Sequence, residues 1–149
     1  MTESEKFKNI YENAYNQHKQ TMEVNYIQFK NMVENAYNQH VQMIELYYTQ
    51  FKNMVENAYN QKEQMIKTNA SIMRSYSSMF GNSEIGRNIE KIESDYLTLN
   101  EESKKSMIKQ LDLTKDNYLS NAARMNEQYR KMPNINKFIP NPDGSVDSK

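Results

Sequence analysis

Two histidines, His18 and His40, are the residues of this chain best suited to metal binding or to a pH switch. They lie 22 positions apart. On one helix that is about 33 Å, so they cannot share an ion within a chain. Lys62 holds the equivalent place 22 residues further on, and no carboxylate joins the set. The repeated Glu12, Glu34 and Glu56 raise the idea of paired carboxylates, but general acid–base work needs convergent groups within hydrogen-bond reach. One glutamate per 22 residues reads instead as a solvated face. The Asn-Gln pairs at 16–17, 38–39 and 60–61 form an uncharged polar face, with lateral hydrogen bonding between packed rods as the alternative. A column of methionines, Met32, Met43, Met54 and Met65, is a gap-filling apolar column, with an adaptable grip on a non-protein surface as the other reading. There is no phosphate-binding glycine loop, nucleophile motif or cofactor fingerprint. The expectation is a non-enzyme with no cofactor and no metal.

These residues are positioned by a tandem repeat. Segments 7–28, 29–50 and 51–72 follow one another without a gap, and each neighbouring pair agrees at 14 of 22 positions. Twenty-two is twice 11, and 11 residues make three α-helical turns at about 3.67 per turn. Such a period keeps each stripe of side chains on a constant side of a long helix. Stepping by 4, 3 and 4 from Phe7 gives the apolar interaction stripe Phe7, Tyr11, Ala14, Met22, Phe29, Val33, Ala36, Ile44, Tyr47, Phe51, Val55, Ala58, Ile66 and Met73. In an 11-letter notation these are positions a, e and h. Position d adds Ile10, Thr21, Met32, Met43, Met54, Met65 and Tyr76, and Tyr15, Tyr26, Tyr37, Tyr48 and Tyr59 widen one flank. His18, Asn25, His40, Lys62 and Asn69 fall on the same stripe. They read as polar core positions that set register or oligomer state.

The predicted fold is all-α. A capping box, Thr2 with Glu5, opens a very long helix over 1–80. Gly81-Asn82-Ser83 supplies a helix-ending glycine and an N-cap for the next helix. A second, shorter helix over 84–132 keeps the rhythm through Ile85, Ile89, Ile92, Tyr96, Asn100, Ser103, Met107, Leu111, Thr114, Tyr118, Ala122, Met125, Tyr129 and Met132. The short turn favours an antiparallel hairpin or coiled coil. The first helix is the longer by roughly 40 Å if both are straight, which leaves Phe7, Tyr11 and Phe29 on an uncovered overhang. All three prolines lie in the tail, 133–149, which reads as irregular or disordered.

Composition narrows the partners. Apolar residues make up 37% of the chain, below the 45–50% usual for a compact globule. Net charge is zero, with no basic patch for nucleic acid and no strong pull toward anionic lipid. Cysteine is absent, which excludes disulfides and thiolate sites. The N-terminus does not read as a signal peptide, and no run approaches a transmembrane span. The expected location is the cytoplasm, and the expected state a homo-oligomer.

The recurring aromatic residue followed six positions on by Asn-Ala, seen as Phe29 with Asn35-Ala36 and Phe51 with Asn57-Ala58, resembles the phasins in its type of repeat, as do the chain's size and lack of cysteine. Phasins are small helical proteins that coat polyhydroxyalkanoate granules. The resemblance covers residues 7–72. It implies a granule-surface protein that touches a hydrophobic polymer or neutral lipid and a polymer synthase, with no catalytic residue to carry over. The 22-residue period is also that of exchangeable apolipoproteins, but their boundary prolines and flanking basic residues are missing here. The alternative is a structural coiled-coil rod or filament that binds neither lipid nor polymer.

Overall fold

The structure, a computed structural model, describes residues 2–146. Two α-helices account for most of them: α1, Glu3–Met79, and α2, Ser83–Arg130. A single 3-10 helix follows at Ile135–Phe138, and no strand occurs among the described residues. The start of α1 is a reciprocal capping box. The Thr2 amide donates to Glu5 Oε2 at 2.8 Å, and the Glu5 amide donates to Thr2 Oγ1 at 3.2 Å. No proline interrupts either helix.

The two helices are joined by a tight reversal. Gly81 takes the left-handed conformation at φ +65°, which costs a glycine nothing. Its amide bonds to the Ser78 carbonyl at 3.1 Å and the Asn82 amide to the Ser77 carbonyl at 3.4 Å, the paired bonds of a Schellman ending. Asn82 then caps α2, its Oδ1 accepting from the amides of Glu84 and Ile85 at 3.1 and 3.2 Å. One asparagine thus serves the end of one helix and the start of the next.

Contacts divide the chain into two compact units, one of residues 42–120 and one combining the N-terminal part through Val41 with the part from Asn121 onward. The 42–120 unit is a helical hairpin. Its seam on α1 runs through Ile44, Tyr48, Lys52, Val55, Tyr59, Glu63, Ile66, Ala70, Arg74 and Ser77, all at least partly covered. The facing residues on α2 are Gly86, Ile89, Glu93, Leu97, Asn100, Lys104, Ile108, Leu111, Lys115 and Leu119. Both rows keep the 11-residue period. Near the turn the pairing is close: a Cβ added to Gly86 would sit 3.6 Å from Ser77 Oγ.

In the second unit, Tyr15, Lys19, Met22, Tyr26, Lys30, Val33, Tyr37 and Val41 continue the same α1 columns, and Ala122 and Asn126 are the buried residues of α2. Lys30 closes the end of α2, its ammonium donating to the carbonyls of Tyr129 at 3.0 Å and Met132 at 3.3 Å. A cation there satisfies carbonyls that lack helical partners and opposes the negative end of the helix dipole. The chain beyond α2 then runs back along α1. Tyr26 donates to the Met132 carbonyl at 3.1 Å, Asn134 to Glu23 at 2.8 Å, and Tyr15 to Asn141 at 3.2 Å. Tail residues therefore line part of α1 that length alone would leave as a bare overhang, although Phe7, Tyr11 and Phe29 stay exposed. The tail is irregular apart from its 3-10 helix, which Asn134 caps. Positions 147–149 of the tail lie outside the described residues.

Little of the chain is dry. The buried apolar residues are Ala70, Ile89 and Ala122, joined by Ser77, Asn100, Asn126 and Asn136. Ile89, 6% exposed, is the one large apolar side chain among them. Ile89→Ala is expected to lower unfolding free energy by about 2 kcal/mol, the low end for truncating a buried isoleucine because so open a seam can close up. Asn53→Ala, at a fully solvated position, should change it by less than about 0.5 kcal/mol. Urea unfolding followed by circular dichroism checks both.

Candidate interaction face

The period that builds the seam also fixes what it leaves out. At about 98° per residue, the centre of the α1 seam is the tyrosine column, about 65° round the helix from Phe7 and its equivalents. The seam uses the e column of the predicted stripe, represented by Met22, Val33, Ile44, Val55 and Ile66, and pairs it with the tyrosines and with the positions just after Phe7, Phe29 and Phe51. The a and h columns are left in solvent: Phe7, Phe29, Phe51 and Met73 in the first, Ala14, Ala36, Tyr47 and Ala58 in the second. Column d stays out as well, with Ile10, Met32, Met43, Met54, Met65 and Tyr76 all exposed. Tyr11, although in column e, is exposed near the start of the helix.

The positions read as a polar core are likewise not core within this chain. His18, Asn25, His40, Lys62 and Asn69 are all exposed. The physical reason is geometric. A pair of helices covers a strip about three columns wide, and the strip used here is centred on tyrosine. Any register these five residues set is toward something other than α2.

On α2 the same rotation holds. Leu97, Ile108 and Leu119, absent from the predicted stripe, are partly covered, while Ile85, Ile92, Tyr96, Met107, Tyr118, Met125 and Tyr129 are exposed. The exposed columns of the two helices adjoin. In the 42–120 unit, a groove of about 240 Å³ is lined by Ile66, Asn69, Ala70 and Met73 of α1 and by Ile89, Ile92, Glu93 and Tyr96 of α2. In the other unit, a groove of about 540 Å³ is lined by Phe29, Met32, Val33, Ala36, Tyr37 and His40 together with Ala122, Met125, Asn126 and Tyr129. Each unit therefore presents an apolar face beside its seam.

The opposite face of the 42–120 unit is polar. A depression there is lined by Arg74, Glu90, Glu93, Ser94, Glu101 and Lys105 among others, and Arg74 pairs with Glu93 across the seam. Tyr48 donates to Asp112, and the Lys115 ammonium lies 4.3 Å from the Tyr48 ring centre and 3.5 Å from Glu45. Within α1 three tyrosines of the seam column carry a lysine four residues on. Lys19 lies over Tyr15 at 5.9 Å, Lys30 over Tyr26 at 5.3 Å and Lys52 over Tyr48 at 5.9 Å. Exposed contacts of this kind contribute about 0.5–1 kcal/mol each. The tyrosine column itself, at an 11-residue spacing from Tyr15 to Tyr59, was readable in the sequence as a second ordered stripe.

Two buried acceptors carry no hydrogen bond. Asn100 is 6% exposed and its Nδ2 donates to the Tyr59 carbonyl at 3.0 Å, but its Oδ1 has no partner. Asn126 is 8% exposed, and its Oδ1 is also unpartnered, at a residue that lines the larger groove. Leaving a buried acceptor unmet costs roughly 1–3 kcal/mol. Among the described residues no cluster of three or more His, Cys, Asp or Glu could hold a metal, and no helix is long and apolar enough to cross a membrane.

Comparison with known protein families, with characterised proteins and with solved structures finds no match. The face is therefore read from its own residues.

One side chain of the polar side has a shifted titration. Asp112 accepts from the Tyr48 hydroxyl, and this bond, with partial burial and nearby acidic charge, pushes the phenol from 10.0 up to about 12. A raised pKa means the fold favours the neutral phenol. That stabilisation is complete below pH 10 and is lost as pH climbs through about 12. Tyrosinate absorbance in an alkaline titration should show one late-ionising tyrosine, absent in Tyr48→Phe and returned toward the ordinary range in Asp112→Asn.

Proposed function

We propose that this chain is a non-enzymatic helical assembly protein that works through the face formed by its a, d and h columns and the exposed apolar residues of α2. Its most specific form is a phasin-like coat, in which the face lies on a neutral hydrophobic phase such as a polyhydroxyalkanoate granule inside the cell and the Asn, Gln and Glu columns meet water. One observation carries the reading. Phe51, 53% exposed, and Met54, 64% exposed, belong to a regular apolar array that two folded helices leave uncovered. Large contiguous apolar patches on a folded chain mark interaction surfaces.

A neutral target suits the charge balance, since an amphipathic face without flanking cations gains little from anionic headgroups. Methionines at four successive d positions fit a surface of irregular relief. The second reading is a structural oligomeric rod. What favours it is the set of polar residues within the face, His18, Asn25, His40, Lys62 and Asn69, which partner chains in register can satisfy and a hydrocarbon phase cannot.

Adsorption tests the coat. The purified chain is mixed with polyester nanoparticles, with neutral phosphatidylcholine vesicles and with anionic phosphatidylserine vesicles. Saturable binding to the polyester, insensitive to salt and weakened at least tenfold, about 1.4 kcal/mol, by Phe51→Glu with Met54→Glu, is the expected result. Binding that follows anionic charge and fades with salt, or no binding to the polyester, contradicts it.

A further inference from the structure

We infer that in solution, away from any apolar phase, the exposed face is closed by the same face of a second copy of this chain in a two-fold symmetric dimer. The inference rests on the reading that the a, d and h face is the associating surface, and it names what that surface meets first. Two observations point to a second copy.

The first is area. In the 42–120 unit alone, about ten large apolar side chains stand half exposed on the face, Phe51, Met54, Met65, Met73, Tyr96 and Tyr118 among them. Side chains of this size bury about 150–250 Å² each when fully covered, so the half still exposed amounts to roughly 1,000 Å² on one copy. A stable interface needs about 800 Å² per partner. The requirement is met by one unit, with no contribution from the other. A two-fold axis suits the case because a self-complementary face needs no second kind of surface.

The second is hydrogen-bond chemistry. Lys62 and Asn69 stand exposed within the face of this unit, and His40 within the face of the other. A hydrocarbon phase offers these groups no partner. A second copy brings donors and acceptors within its own face, the amide of Asn69 and the hydroxyls of Tyr96 and Tyr118 among them. Polar pairs of this sort select one arrangement over its neighbours, as a single buried asparagine does in coiled coils. The apolar area supplies the association, and the polar residues choose a partner that can meet them.

Sedimentation of the full chain tests this, with circular dichroism as the check on folding. The expected species is a helical dimer of twice 17.7 kDa at micromolar concentration. Met73→Glu with Tyr96→Glu should weaken it at least tenfold while leaving the helical signal intact, since both positions are exposed within the chain. Asn53→Glu, away from the face, should leave the dimer unchanged. Lys62→Leu with Asn69→Leu removes the polar groups of the face and should turn one sharp species into a mixture of masses. A folded monomer across the concentration range overturns the inference yet leaves the coat standing, because the coat is read by polyester binding. A dimer that ignores polyester does the reverse. A dimer unaffected by the glutamate pair, or an unchanged single dimer after Lys62 and Asn69 are replaced, also overturns it.

Discussion

An 11-residue period holds every side-chain column of α1 at a constant angle, and a two-helix contact can cover only about three adjacent columns. The rest of the structure follows from that mismatch between supply and cover. Columns a, d, e, h and i are all rich in apolar or aromatic residues. The seam takes e, i and the column after a, and the others are left as an apolar face in each unit. No rearrangement within a helical pair removes this surplus, because rotating α1 to bury phenylalanine would expose the tyrosines in its place.

The choice of tyrosine over phenylalanine at the seam has a physical basis. A tyrosine between two helices covers apolar surface with its ring and still delivers its hydroxyl to a polar partner at the edge. Tyr15, Tyr26 and Tyr48 do this with Asn141, the Met132 carbonyl and Asp112 respectively. Lysines beside them lay their methylene stems along the seam and keep the charge wet. Phe29 and Phe51 have no such edge function and give nothing up by facing outward, provided another apolar surface covers them. On α1 the seam thus takes the tyrosines that can end in water at its edge and leaves Phe29 and Phe51 outside, beside the exposed Tyr47 and Tyr76.

Much of the fold was legible in the sequence. The capping box at Thr2, the Gly81-Asn82 reversal and the two helices flanking it are local features, each set by residue types within a few positions, and local rules reached them. The 11-residue rhythm was equally plain in both helices. What escaped was the rotation of the seam by about 65°, because periodicity fixes which residues share a column but not which column meets the partner. Hydrophobicity ranked the phenylalanine and methionine columns first for burial, whereas hydrogen bonding and side-chain reach decided for tyrosine and lysine. The unmet acceptors of Asn100 and Asn126 had no sequence signature at all, since each depends on what lies across the seam. On α2 the missed row of Leu97, Ile108 and Leu119 kept the period in full view. It was hidden only by following Ile85 rather than Gly86.

Tyrosine, not phenylalanine, faces α2 in the hairpin. Intramolecular nuclear Overhauser contacts, isotope-filtered against partner copies, read this directly at one position. The account predicts cross-peaks between the Tyr48 ring and the side chain of Lys115, whose ammonium lies 4.3 Å from the ring centre. Cross-peaks from Lys115 to the Phe51 ring, with none to Tyr48, would contradict it.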